Sequence, residues 1–302
     1  MKRFAVIFLT LSLALSLSAC KKAEEKPSAP EAPVPAAPAE VEKPAQGFTT
    51  VTGDAFAPTT LTSVSASAVK TEGRIPGGEY VLPEAVTDVM EWADWGGVAM
   101  LAELPEADAA FYAVEGKDFS PALIRWGDAL AEFDWVYATP RNIAPKMWCF
   151  DFDEDGLDEL VVDCYYGSGT GVSLSDLHVV EKNADGTLTA YTFPLDALVV
   201  ALESDMGIVT AGDTVCAYFG TELVDITGAL GDLQPRYTGS GLAVGEVVTF
   251  EKAAGCMDCR MGLVVKAEKL YHWYAAELSA DVFYKDGEDG EFILDGLHLD
   301  GY

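Results

Sequence analysis

Apolar residues in this chain fall into short runs and alternations more often than into helical stripes. Leu123–Trp126 and Ala129–Trp135, separated by Gly127-Asp128, read as a hairpin closed by a two-residue turn. Met147–Phe150 and Leu160–Tyr166 are strand-length apolar runs on either side of an acidic segment. Leu177–Glu181 and Thr187–Phe193 flank Asn183-Ala184-Asp185-Gly186 as a second hairpin, and Phe48–Val81 has the turn-punctuated Thr, Ser and Val pattern of short strands. Further strands are predicted at Thr214–Phe219, Glu246–Phe250, Gly262–Ala267, Tyr274–Tyr284 and Phe292–Leu299. Helical spacing is confined to few places. Glu84–Leu104 carries it through Val86, Val89, Met90, Ala93, Val98, Met100 and Leu101, with a break at Gly96-Gly97. Pro105-Glu106-Ala107-Asp108 reads as the start of another short helix with acids in its first turn, and Pro194–Glu203 places Leu195, Leu198, Val199 and Leu202 on one stripe behind a leading proline. The prediction is an α+β body of mainly antiparallel β-sheet with two or three helices. No repeat recurs along it, so a full propeller is not expected.

The first 46 residues have a different texture. Lys2 and Arg3 precede an uncharged run from Phe4 to Ala19, too short for the ~20 residues that a spanning helix needs, which is the layout of a signal peptide. The run ends in Leu17-Ser18-Ala19-Cys20, which resembles the lipobox of bacterial lipoproteins. The resemblance implies cleavage before Cys20, a diacylglyceryl group on its thiol, and two acyl chains such as palmitate, enough for a stable anchor on the outer face of a membrane. The alternative is an ordinary secretory signal with an incidental cysteine. Residues 21–46 hold six of the chain's 15 prolines and no aromatic residue, so they cannot bury a core and are expected to be an extended spacer. The expected organisation is therefore a signal peptide at 1–19, a lipidated Cys20 and Pro/Ala/Glu-rich linker at 20–46, and an α+β extracytoplasmic domain at 47–302.

The segment Asp151-Phe152-Asp153-Glu154-Asp155-Gly156-Leu157-Asp158-Glu159 carries the strongest chemical signal. Carboxylates at positions 1, 3 and 5 of a tight loop surround one centre, and glycine at position 6 allows the turn that brings in the carbonyl of position 7. Asp151, Asp153, Asp155, Leu157 through its carbonyl, and Glu159 at position 9 are thus candidate ligands of Ca²⁺. Position 12, where a helix-loop-helix site has its bidentate glutamate, is Val162, and both flanks read as strands. In this the segment resembles the strand-flanked calcium loops of the FG-GAP and VCBS families. The other reading is a solvated acidic turn. Phe133-Asp134-Trp135, Thr139-Pro140-Arg141, the acidic loop and Gly167–Ser173, in this order, also resemble uncharacterised extracytoplasmic domains of Gram-positive lipoproteins, a likeness that implies no activity.

Charge sharpens the picture. Against 19 Lys and Arg stand 49 Asp and Glu, a formal net charge of −30. Such a surface repels polyanions and attracts cations, which argues against nucleic acid as a partner. Other motifs say less. Gly167–Gly171 lacks the lysine of a phosphate loop and reads as a turn bordering the acidic loop. Cys149 and Cys164 bracket the acidic loop as candidates for a bridge. Cys256-Met257-Asp258-Cys259 has CxxC spacing in an expected connection between strands, open to disulfide, structural-thiol, metal and redox readings. His178, His272 and His298 fall in or beside strands without catalytic partners. Trp126, Phe133, Trp135, Trp148 and Phe150 alternate on consecutive strands, as do Tyr271, Trp273 and Tyr284 later, which predicts one sheet face, core or a binding platform. No catalytic constellation is visible. The expectation is a membrane-anchored lipoprotein with a calcium-stabilised domain that contacts a cell-wall glycan, peptide or protein; the alternative is a cell-envelope hydrolase whose catalytic carboxylates are dispersed along the chain.

Overall fold

The computed structural model describes residues 61–77, 80–87, 97–114, 121–137, 143–231, 241–266 and 273–302. The chain divides after Ala45, and every described residue lies in the unit Gln46–Tyr302. In chain order the strands are β1 Ser63–Ser67, β2 Val69–Glu72, β3 Val98–Leu104, β4 Ala109–Val114, β5 Ala122–Trp126, β6 Ala129–Phe133, β7 Lys146–Phe150, β8 Glu159–Gly169, β9 Val172–Lys182 and β10 Leu188–Thr192. Helix α1 Leu195–Glu203 follows, then β11 Met206–Ala211, β12 Thr214–Phe219, β13 Glu222–Asp225, the single turn α2 Thr227–Leu230, β14 Leu242–Lys252, β15 Met257–Val265, β16 Tyr274–Lys285 and β17 Glu291–Gly301. The fold is mainly antiparallel β with little helix, and among the described residues no barrel or propeller closes. Among the described residues no helix is long and apolar enough to cross a membrane.

Three layers result. Strands β1-β17-β16-β15-β14 run as one half of a ten-stranded sheet, and β9, flanked by β8, β7, β10 and β2, forms the other half. The halves meet where β9 touches β14 at Ser173 and Val247. Between them lies the main core, in which Val161, Leu177 and Val179 face Met261, Leu278, Val282 and Leu294, with Leu198 and Leu202 of α1 and Val215, Ala217 and Phe219 of β12 at its side. The opposite face of the central strands, Leu160, Val162, Val180, Leu188 and Ala190, packs against a four-stranded outer sheet β3-β4-β5-β6 to make a second core with Phe111, Ile124 and Phe133. Central strands covered on both faces explain why Leu160-Val161-Val162 is uninterruptedly apolar.

The same burial on two faces corrects the helix expected over Glu84–Leu104. Ala99 and Leu101 face the second core while Met100 faces a smaller cluster with Tyr112 and Leu123, so Val98–Leu104 is β3. An apolar run buried on both faces loses the period-2 signature and mimics helical spacing. Residues 88–96 of that expectation lie outside the described residues. Pro105 opens a turn of 3₁₀-helix, Pro105–Ala107, and α1 begins directly after Pro194. The Gly167–Gly171 segment is strand up to Gly169, with the turn at Thr170-Gly171. It lies at the far end of β8 from the acidic loop and does not border it. There Tyr274 donates its hydroxyl hydrogen to the Gly171 carbonyl at 2.6 Å, its ring lying over Gly245 and Gly262, where a Cβ would come within 2.7 and 2.6 Å of that ring. Two glycines therefore seat the tyrosine that pins the long hairpin to the other half-sheet.

The aromatic residues do not share one face. Trp126, Phe133 and Trp135 belong to the second core, whereas Trp148 and Phe150 pack on the main core. Tyr284 is buried in the main core, and Trp273 is exposed with its indole donating to the Ala229 carbonyl. Tyr271 and His272 lie outside the described residues.

Candidate metal centre

The loop between β7 and β8 is closed by the pairing of Phe150 with Glu159. Its second residue, Phe152, is 1 % exposed and turns down into the main core, with ring centroids 5.0 Å from Phe150 and 6.1 Å from Tyr284. This anchor leaves the carboxylates on either side of it at the rim. Glu154 and Gly156 take left-handed backbone, φ 64° and 92°, and fold the loop back on itself. Main-chain N–H groups then use part of the carboxylate oxygens: Asp155 donates to Asp153 Oδ1 at 3.0 Å, Gly156 to Asp151 Oδ2 at 3.1 Å, Leu157 to Asp155 Oδ1 at 2.6 Å, and Phe152 to Glu159 Oε2 at 2.7 Å. The loop is held by the same acids that crowd it.

Asp151, Asp153 and Glu159 each offer an oxygen, and these atoms lie within 4.8 Å of one another. Asp153 also belongs to a second trio with Asp155 and Asp286 at the same spacing. The electrostatics favour a cation at this place. Burial, with the charges of Asp153 and Asp155, pushes Glu159 up to about 7 against the pull of the Phe152 N–H. Burial, then Asp155, Asp286 and Asp151, raises Asp153. Asp151 Oδ1 is buried with no hydrogen-bond partner. A buried carboxylate oxygen left unpaired is costly, and a cation at the centre of this trio would satisfy it. The donors are all hard oxygens, which suit Ca²⁺ or Mg²⁺ rather than a thiophilic metal. The acidic groups can thus hold a metal ion.

Of the five residues singled out in the sequence, three converge, Asp151, Asp153 and Glu159, and Asp155 joins through the second trio. Leu157, expected to contribute its carbonyl, lies in neither trio and is 68 % exposed. A cavity of about 370 Å³ opens over the loop, lined by Trp126, Asp153, Asp155, Leu157, Asp158, Glu159, Glu181, Lys182 and Asp286. Lys182 Nζ stands 4.7 Å over the Trp126 ring, and Glu181 accepts the Tyr284 hydroxyl. Asp286 and Glu181 were not legible from the local motif. Asp286 comes from the β16–β17 turn, whose run Lys285-Asp286-Gly287-Glu288-Asp289-Gly290 is acid-rich enough to notice, though nothing in it names the loop that it meets.

The cysteines form no site. Cys149, Cys164, Cys216, Cys256 and Cys259 are all free. Cys149 lies opposite Leu160 and Cys164 opposite Asp176, so the register separates the first pair along the strands and forbids their bridge. Met257–Val265 is strand β15 rather than a connection, and it carries Cys259 into the main core. Burial pushes the Cys149 and Cys256 thiols up to about 11 and Cys259 higher still, which keeps them protonated near neutral pH. Cys20 lies outside the described residues. The chain matches no protein-family model, no curated protein and no solved structure.

Proposed function

We propose that this protein is an extracytoplasmic lipoprotein, anchored to the outer face of a membrane through Cys20, whose domain binds calcium in the Asp151 loop and serves as an interaction module for a wall glycan, peptide or protein. The observation that carries the metal reading is the trio of Asp151, Asp153 and Glu159 oxygens within 4.8 Å of one another, in a loop where Asp151 Oδ1 is buried with no hydrogen-bond partner. The likeness of the loop to FG-GAP and VCBS loops favours Ca²⁺ over Mg²⁺, which keeps its waters and demands a stricter octahedron, while the −30 charge and the oxygen-only donors suit either ion. The anchor rests on Leu17-Ser18-Ala19-Cys20.

Calcium at tenfold its dissociation constant adds ~1.4 kcal/mol of stability, a rise of about 3 to 5 °C in the unfolding midpoint of a protein this size. Thermal scans in millimolar calcium and in excess chelator should show that rise for the wild type and none for Asp151→Asn or Asp153→Ala; equal midpoints in the wild type would remove the metal from the proposal. Expressed with its own leader in a bacterial host, the protein should fractionate with membranes and take up labelled palmitate. Cys20→Ala should release it to the soluble fraction, and an unlabelled wild type rules out the anchor.

A second reading, an envelope hydrolase, draws support from one place. A cavity of about 330 Å³ is lined by Asp176 and Asp196 together with Tyr166 and the apolar Val69, Phe193, Pro194, Leu195 and Ala197. Burial and the Asp196 charge push Asp176 up to about 6, where a carboxyl can give or take a proton near neutrality. Turnover of a peptidoglycan fragment that is lost in Asp176→Asn, with folding intact, would favour this reading over the first.

A further inference from the structure

His178 is 3 % exposed and sits on β9 between Val162 of β8 and Thr192 of β10. Trp135, just beyond β6, lies flat on its imidazole, ring centroids 4.0 Å apart and planes 5° from parallel. The ring therefore stands in the joint between the central strands and the outer sheet. Its Nδ1 is 2.8 Å from Thr192 Oγ1, while Nε2 is buried with no partner, as is Trp135 Nε1. We propose that His178 is an acid-sensitive latch: protonation of its imidazole frees the outer sheet β3–β6 from the central strands while the main core stays closed.

A neutral imidazole fits this place, needing one good hydrogen bond and a flat apolar neighbour. An imidazolium needs acceptors at both nitrogens, and only the Thr192 hydroxyl is at hand. The titratable groups that share this side of the strands are the Cys164 thiol of β8 and the Tyr137 phenol after β6, both pushed up by burial and hence neutral in acid, while Asp163 of β8, raised to about 6 by burial, and Tyr191 of β10 alternate to the other face. Along β9, Asp176 is two residues away and is coupled to Asp196 at the start of α1. Burial is the sole cause acting on His178 and pushes it down to about 3, so no carboxylate is near enough to hold the charge. Attraction of the cation to the Trp135 face offsets only part of the burial cost.

The outer sheet can respond as a unit. It is one continuous stretch of chain with its own hairpins, joined to the rest by the second core and, at its two edges, by the Arg74–Glu132 and Val86–Met100 bridges. Parting it exposes His178 to water, where the imidazole regains its ordinary value near 6.5. Between pH 7.5 and 4.5 the opened form then gains about 100-fold over the closed form. The main core lies behind the opposite face of β8 and β9 and does not feel this change.

Hydrogen exchange followed by peptide mass spectrometry at pH 7.5 and 4.5, corrected for intrinsic rates, reads the effect directly. Protection of peptides from β3–β6 should fall by about 100-fold relative to peptides from β15–β17. A uniform fall, or none, overturns the proposal. His178→Phe keeps a flat ring against Trp135 and cannot titrate, so its β3–β6 protection should no longer depend on pH in this way; persistence of the differential loss also overturns the proposal. If that variant does not fold, the wild-type comparison of the two sheets still decides.

Discussion

Phe152→Ala should cost about 3 to 5 kcal/mol of unfolding free energy in chelator and should also abolish the response to calcium, although Phe152 supplies no ligand. The first effect follows from its place in the main core against Phe150 and Tyr284. The second follows from its place in the chain: it is the one residue between Asp151 and Asp153, and its N–H holds Glu159 Oε2. Emptying its pocket frees the backbone that aims three carboxylates at one centre. Asp153→Ala makes the informative contrast, since it removes a repulsive charge. It should leave stability in chelator equal to the wild type or slightly higher while losing the calcium response. Urea titrations of both variants with and without calcium separate the two roles. A Phe152→Ala protein that keeps its calcium-linked gain would show that the loop positions its acids without the anchor.

Acid should stabilise the metal-free protein before it harms it. Burial raises Glu159 to about 7, and Asp163 and Asp176 each to about 6, against values near 4 in the unfolded chain. A carboxyl whose folded value is raised contributes stability that is fully present below its unfolded value and lost as pH rises through the folded one. Going from pH 7.5 to 5.5, the folded state therefore takes up protons that the unfolded state does not, and the unfolding midpoint in chelator should climb. His178 works in the other sense: lowered to about 3, it withdraws part of this gain as pH falls below 6.5, but the climb still steepens toward pH 5.5 as Asp163 and Asp176 take up their protons. Saturating calcium needs Glu159 ionised and should flatten the upper part of the profile. Midpoints at pH 7.5, 6.5 and 5.5, with and without calcium, test this; a flat or falling profile in chelator would mean that these carboxyls are better solvated than their burial implies.

What could be read in the sequence was what is local. The acidic loop announced itself because its acids, its glycine and its flanking strands lie within a dozen residues, and the Trp126–Ala129 and Asn183–Thr187 hairpins did so for the same reason. The three layers did not, because a strand covered on both faces, as β3 and β8 are, has no alternation to declare which way it faces. Cys149 and Cys164 suggested a bridge by proximity in sequence, and only the register, which sets Cys149 against Leu160, removes it. Asp286 reaches the loop from a turn on the other half-sheet, and His178 meets Trp135 across two layers. Both are encounters that depend on topology, and no pattern within either segment encodes the other.

The pairing of β1 with β17 sets Ser63 against Asp295, so the first described strand finds its neighbour only in the last. A chain emerging from a ribosome or an export pore reaches β16 with the mate of β1 still to come, and two bare strand edges wait meanwhile. The main core then closes late, after a search across most of the chain, and loop-closure entropy makes that search slow. Until β17 arrives, the facing edges of β1 and β16 have no strand to pair with, and edges of this kind are the ones on which another copy can dock.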